Sequence, residues 1–315
     1  MTPPFRLLVI TLRALFLILI CSSTAAAKEQ KDDLGKAVTV LSPEITPRIA
    51  SVSSFGAELS LALGFSPVAV SQPVEAFPSY LSNLKEVRSL GSRSNTNFTE
   101  LYNAQPNLVV GLGRMVEPYY QRFNEIAPVL AFDLVTLEDS IRAVEITSQA
   151  IGKSSEGKQL NACFQETIEK MQRLIGKQEM TGIFLTSAGV TPRAYYSHFM
   201  TVALMEKLNI NNANGASPYQ ASMPFSGQVG MEWLVKLDPD IIFMYENSKP
   251  QYTQSRVWQS LKAVQNSRVY TVDMTWREPE GPYSRLWVAM DIANKAYPEL
   301  FAPPSVQKVN DALCQ

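Results

Sequence analysis

Residues 156–175 constrain the fold of this chain more than any other stretch. Leu160, Phe164, Ile168, Met171 and Leu174 or Ile175 recur three or four residues apart, and no proline interrupts them. That spacing predicts one amphipathic helix with a single buried stripe. About 20 residues at about 1.5 Å each make a rod of about 30 Å, long enough to cross a domain. On either side runs the same grammar: a short apolar run, a small polar loop, then an amphipathic segment. Before the rod, strands are expected at 49–52, 67–70, 108–110 and 129–132, with helices at 53–63, 98–104 and 119–126. After it come a strand at 183–186, helices at 200–208 and 231–236, a strand at 241–245, an apolar segment at 258–264, a strand at 269–272 and a helix at 286–296. Strands alternating with helices imply parallel sheets with helical crossovers. The expected fold is α/β: two Rossmann-like lobes, 48–152 and 179–315, joined by one long α-helix within 153–178, with a ligand cleft between them. Segments 98–111 (FTELYNAQPNLVVG) and 231–245 (MEWLVKLDPDIIFMY) share one template of helix, Pro-Asn or Pro-Asp turn and buried strand. The carboxyl ends of such strands face the crevice where open α/β sheets bind ligands.

The amino terminus carries the compartment signal. Arg6 and Arg13 flank and interrupt an apolar stretch over 7–20, and residues 22–27 turn small and polar. This is the pattern of a secretory signal peptide, 1–27, with Ala25-x-Ala27 as the cleavage site and Lys28 as the first mature residue. The uninterrupted apolar run over 14–21 falls well short of the roughly 20 residues that span a bilayer. Lipid modification of Cys21 is the remaining alternative, with the bulky Ile20 before it. The charged, proline-broken segment 28–47 reads as a flexible leader. Export leaves two cysteines, Cys163 and Cys314, the arithmetic of one disulfide in an oxidising compartment, the alternative being two separately buried thiols.

Charge and composition exclude several classes. With 28 Lys plus Arg against 29 Asp plus Glu and no basic run, the footprint of a nucleic-acid binder is missing. A single histidine, His198, leaves little for zinc sites or His-dependent catalysis. Haem ligation by that lone His is a weak alternative to packing. Gly111 and Gly113 hint at a dinucleotide loop, but Val116 stands where the third glycine belongs.

Several stretches, taken in order, are similar to one known family. RIASVSSFGAELSLALGFSPVAV, the two helix-Pro-Asx-strand units, VWQSLKAVQNSRVYTV and AYPELF together resemble periplasmic substrate-binding proteins of ABC importers that carry iron siderophores, haem and cobalamin. The resemblance covers residues 48–301. LGSRSNTNFTEL, the Pro192-Arg193 stretch and the Trp276 segment are most similar to ferric hydroxamate binders. The resemblance implies a monomeric periplasmic protein, not an enzyme, that captures a ferric siderophore and delivers it to an inner-membrane ABC permease with its ATPase. Haem or cobalamin is the alternative ligand, an oxyanion binder comes third, and an exported α/β enzyme is the alternative from another class.

A ferric siderophore brings its own six oxygen donors, so no protein cofactor or metal ligand is expected. The protein needs a cationic hydrogen-bonding fork and aromatic walls. The resemblance places Arg93 at a ligand-contacting arginine and Trp276 and Phe225 on the opposite wall, with Arg114 near a family tyrosine. Arg114, Tyr119 and Tyr120 follow the strand that ends near Gly111. Tyr195, Tyr196, Tyr245 and Tyr283 are secondary candidates, while Trp233, Trp258 and Trp287 lie beside apolar neighbours on helices and read as core. Permease docking is implied for a Glu seven residues before each unit's proline. Glu232 holds that place before Pro239, and before Pro106 it falls on Thr99, with Glu100 adjacent.

Overall fold

The computed structural model describes residues 29–42, 44–73, 76–187, 191–219, 224–246 and 250–314. The expected signal peptide and Cys21 lie outside them. No helix among the described residues is long and apolar enough to cross a membrane.

Strands β1 (Glu29–Lys31) and β2 (Ala37–Thr39) pair antiparallel. This hairpin corrects the expectation of a flexible leader. Asp33 pairs with Arg142, the Asp32 carboxylate accepts from Ala131 N at 3.1 Å, and Leu41 N donates to Ala150 O at 2.7 Å. Its anchors are two aspartates and one buried valine, Val38, too sparse a pattern to read as a strand.

The first lobe continues through β3 (Ile49–Ser51), α1 (Ser54–Ala62), β4 (Ala69–Gln72), a 3-10 segment (Ser79–Glu86), β5 (Arg88–Ser92) and α2 (Phe98–Asn103). Then follow β6 (Leu108–Leu112), α3 (Gly113–Val116), a 3-10 turn (Glu117–Tyr119), α4 (Tyr120–Asn124), β7 (Val129–Phe132) and α5 (Leu137–Ala150). All five strands are parallel, in the order β5-β4-β3-β6-β7. β6, inside the sheet, and β7, at its end but met by the hairpin through Asp33 N donating to Ala131 O, are buried along their whole length, which is why both read as continuous apolar runs. Edge strand β5 buries only Leu90 and left no apolar signal in the sequence.

The rod is α6 (Ser154–Ile175), and Ile175 rather than Leu174 faces the core. Gly157 lies where α6 passes α5, and a Cβ there would collide with the Ser148 side chain. The second lobe runs through β8 (Met180–Ser187), β9 (Pro192–Tyr195), α7 (Met200–Lys207), β10 (Ile210–Asn212), β11 (Ser226–Gln228) and α8 (Met231–Leu237). After β12 (Ile241–Glu246) and a 3-10 turn (Gln251–Gln254) come α9 (Arg256–Gln259), α10 (Lys262–Gln265) and β13 (Val269–Val272). The chain closes with α11 (Met274–Arg277), α12 (Pro282–Ala296) and α13 (Val306–Ala312).

This second sheet is mixed, not wholly parallel as expected. β8, β10, β12 and β13 run parallel, whereas β9 runs against them and pairs antiparallel with β8 on one side and β11 on the other. The link from β8 to β9 is too short for a helical crossover, which takes a dozen or more residues, so the chain must turn back on itself.

Helix α12 packs on α1 of the first lobe and α7 of the second, as well as on α6 and α13. Cys163 of α6 is bonded to Cys314, with Cα atoms 6.2 Å apart and 151 residues between them in sequence. The bridge ties the end of the chain to the rod. Closing so long a loop is expected to stabilise the fold by about 2–4 kcal/mol. Cys163→Ser should lower the unfolding free energy by that amount in urea titrations of oxidised protein. Equal stability of variant and wild type would show that the bridge contributes nothing.

Candidate functional site

The carboxyl ends of β3, β4 and β5 point toward the segment that follows β13, and between them lies a cavity of about 130 Å³. From the first lobe it is lined by Ser53, Glu58, Ser71, Tyr80 and Arg93. From the second come Asp273, Thr275 and Glu278. The location follows from the folds of both lobes, because parallel strands deliver their loops to one edge.

Arg93 sits just past β5. Its guanidinium makes a bidentate pair with the Glu278 carboxylate, Nη2 donating to Oε1 at 2.7 Å, so the contact spans the two lobes. Burial works against the charged guanidinium, but the hydrogen bonds and charge of Glu278 outweigh it and raise the Arg93 pKa. Arg114 Nη2 approaches the same carboxylate at 3.7 Å from the exposed rim. Asp273 is the N-cap of α11, its carboxylate accepting from Thr275 N at 2.9 Å.

Behind this pair lies a second layer of buried acids. Glu58, on α1, accepts from Ser284 N at 2.8 Å and Ser284 Oγ at 2.9 Å, which places a carboxyl at the N-terminus of α12. Burial pushes its pKa up to about 7 against the lowering effect of the Ser284 hydrogen bonds. Gly281 is required here, since a Cβ would collide with the Glu58 carboxyl. Glu280 is wholly buried, accepts from Ser54 Oγ at 3.5 Å, and is pushed up to about 8 by burial and by the neighbouring charge of Glu278. The buried guanidinium of Arg285 is lowered to about 9 by desolvation; it donates to Asn161 Oδ1 at 2.7 Å and Ser140 Oγ at 3.3 Å.

Of the residues singled out in the sequence, Arg93 lines the cavity and Arg114 stands at its rim. Most of the aromatic candidates belong elsewhere. Trp276 is only 1% exposed; it packs on Phe243 and donates Nε1–H to Asp291 Oδ2 at 3.0 Å, so it is a core residue. Tyr195 is equally buried, in a cluster with Phe184, Phe199 and Phe225. Phe225 is half-buried against that cluster, and Tyr196 lies beside His198. Tyr245 is buried beneath Arg277, and Tyr283 stacks behind Tyr80, the ring that does reach the cavity. Tyr119 packs edge-on to Phe98, and Tyr120 lies under Lys36, both away from the cavity. Trp233, expected in the core, is 42% exposed on α8 beside the exposed Glu232. Glu100 pairs with Arg88 on the surface of the first lobe. Among the described residues no group of three or more His, Cys, Asp or Glu side chains is placed to hold a metal ion.

The residues that sequence reasoning missed are the carboxyl groups. Glu58 left a legible signal, a lone acid on the apolar face of SFGAELSLA. Glu278 and Glu280 sit in a polar stretch with no periodicity to mark them.

Comparison with known proteins gives the site its context. The sequence profile of the family described as periplasmic binding protein matches residues 49–275. The chain is 25% identical to the Fe(3+)-citrate-binding protein YfmC of Bacillus subtilis, across 75% of this chain and 76% of that one. It is 23% identical to the probable siderophore-binding lipoprotein YfiY of the same organism, across 91% and 96%. Among solved structures, Staphylococcus aureus SirA complexed with staphyloferrin B shares the fold with a TM-score of 0.69 at 18% identity, covering 85% of this chain and 98% of that one. The triscatecholate siderophore binding protein FeuA of Bacillus subtilis, complexed with ferri-bacillibactin, gives a TM-score of 0.69 at 17% identity, covering 85% and 97%.

The buried acids make stability depend on pH in a stated direction. Glu58 has a folded pKa of about 7 against an ordinary value of 4.5, so between these values the folded state holds a proton that the unfolded state has lost. Its contribution is therefore full below pH 4.5 and is lost as pH rises through 7, a change of a few kcal/mol at about 1.4 kcal/mol per unit. Chemical denaturation from pH 4.5 to 8 should show a flatter stability profile for Glu58→Gln than for wild type. Parallel profiles would exclude Glu58 as the source.

Proposed function

The chain belongs to the periplasmic binding protein family, and from that premise we propose that it captures a ferric siderophore, of hydroxamate type, between its lobes and delivers it to an inner-membrane ABC permease with its ATPase. Membership of this family makes it a binding protein and not an enzyme. The observation that carries the reading is the interlobe cavity at the strand carboxyl ends, with the Arg93 guanidinium and the Tyr80 ring on its wall. A cationic fork beside an aromatic ring suits an oxygen-rich iron complex wrapped in an organic shell. The iron arrives with its own oxygen donors, so the protein supplies neither a metal ligand nor a cofactor. Relatives named for ferric citrate and siderophore binding support the same cargo.

Ligand pockets usually enclose about 300–1,000 Å³, and the cavity of about 130 Å³ is smaller. Entry therefore requires the Arg93–Glu278 pair to part. The spine of α6 and α12, with the disulfide fixed near the middle of α6, keeps the movement small and confines it to the cleft. We place the mature protein in the periplasm as a monomer, reached through cleavage after Ala27. Relatives described as lipoproteins bring the alternative of a lipid anchor at Cys21.

Ligand identity is tested by intrinsic fluorescence quenching with ferric hydroxamate, catecholate and citrate complexes, haem and cobalamin. A ferric hydroxamate should bind most tightly, and preference for haem or cobalamin would replace the reading. Arg93→Ala should weaken that binding at least tenfold, or by about 1.4 kcal/mol. Unchanged affinity would remove Arg93 from the site.

Docking is proposed to use Glu232, exposed in the first turn of α8. Charge complementarity at such a surface sets association and register. Glu232→Ala should leave siderophore affinity intact and reduce uptake in cells that lack the native protein. Glu100→Ala should act more weakly, because Arg88 already holds that carboxylate. Normal uptake by Glu232→Ala would dismiss the docking role.

A further inference from the structure

We propose that the cleft selects ferric complexes carrying no net negative charge, and that Glu278 is the residue that sets this preference. The inference rests on the reading of the cavity as a ferric siderophore site and narrows it.

Among the described residues the lining holds one cation, Arg93, and three carboxyl groups, those of Glu58, Asp273 and Glu278. Arg114 stands at the rim, and burial raises Glu58 to about 7 and Glu280 behind it to about 8, so the two guanidinium groups are balanced by Glu278 and Asp273 and the wall carries no net positive charge. Opening the cleft separates Arg93 from Glu278 but does not change that sum. A buried charge must be matched by an opposite one, and here the one guanidinium that lines the cavity among the described residues is already matched by the protein's own carboxylate.

Two further groups point to a ligand in this cavity. The Ser53 and Ser71 side chains line it, their residues are 4% and 7% exposed, and their hydroxyls have no hydrogen-bond partner among the described residues. Buried hydroxyls left unmatched are costly, and an oxygen-rich ligand would satisfy them without bringing charge.

The chemistry of ferric complexes turns this into a choice of class. Three hydroxamates, each contributing one negative charge, neutralise ferric iron. Three catecholates contribute two each and leave three negative charges, and ferric citrate is also anionic. A neutral trihydroxamate meets the Arg93–Glu278 pair as a dipole, whereas a tris-catecholate meets a wall whose guanidinium is already matched and has no cation left over for its three negative charges. A trihydroxamate bearing a pendant ammonium would find Glu278 or Asp273 as its partner.

The test titrates wild type and Glu278→Gln with ferrichrome, which is neutral, ferrioxamine B, which carries one positive charge, a ferric tris-catecholate and ferric citrate. Wild type should bind both trihydroxamates at least tenfold more tightly than either anionic complex. Glu278→Gln should narrow that ratio at least tenfold by releasing the Arg93 charge to the anionic complexes, with Glu278→Ala as the second variant should the amide perturb folding. Tighter wild-type binding of the catecholate or citrate complex would overturn the charge preference and leave the siderophore reading standing. A ratio unmoved in both variants would dismiss Glu278 as its source. Failure of all four complexes to bind would remove the siderophore reading itself, and this inference with it.

Discussion

The Glu58 carboxyl at the N-terminus of α12 is the contact on which the geometry of the cleft depends. A helix start presents unpaired N–H groups and the positive end of its dipole, so an acid there is held electrostatically as well as by hydrogen bonds. What is unusual is the origin of the acid, which comes from α1, 226 residues earlier in the chain. Because Ser284 also receives the Gly281 N–H at 3.0 Å, one carboxyl fixes the turn that leads from α11 into α12. That turn carries Glu278 and Glu280, so the register of α1 against α12 decides where the partner of Arg93 stands.

Arg285, the residue after Ser284 on α12, extends the same logic through the core. It is fully buried, its guanidinium lies 4.5 Å from the centre of the Phe164 ring, and it reaches Ser140 on α5 and Asn161 on α6. Ser140 Oγ in turn donates to Glu280 O at 2.7 Å. An apolar core would be at least as stable as such a network, since desolvating a guanidinium costs several kcal/mol. The directional bonds give orientation instead: they specify how α5, α6 and α12 meet, which hydrophobic packing alone leaves free to slide.

The sequence made legible whatever is written in local periodicity. The rod, β7 and β13 stand where the apolar patterns put them, and Arg93, which the family resemblance and not periodicity singled out, lines the cavity. Elements with little apolar signal were lost, as with β5, where Leu90 alone is buried, and with the hairpin held by Asp32 and Asp33. The aromatic wall failed for a different reason. Trp276 lies in a polar stretch, yet its indole is buried by Phe243 and bonded to Asp291, contacts made through tertiary structure that no local window contains. Trp233 erred in the opposite sense, because α8 is a short helix whose only buried residue is Leu234, so an apolar neighbour says little about which face is covered.

The Arg93–Glu278 pair is also suited to a cleft that must open. Its side chains are 16% and 15% exposed, buried enough to lose much of their hydration yet in reach of water once the lobes part. Desolvation offsets most of the attraction in such a pair, so the net stabilisation of the closed form is small. Rehydration on opening returns that cost, and the two arrangements differ by little. A ligand then needs only a modest difference in affinity between them to decide which is populated. The disulfide and the buried network of α12 meanwhile hold the spine in one arrangement, so the small free-energy difference is expressed at the cleft and not as loosening of the fold.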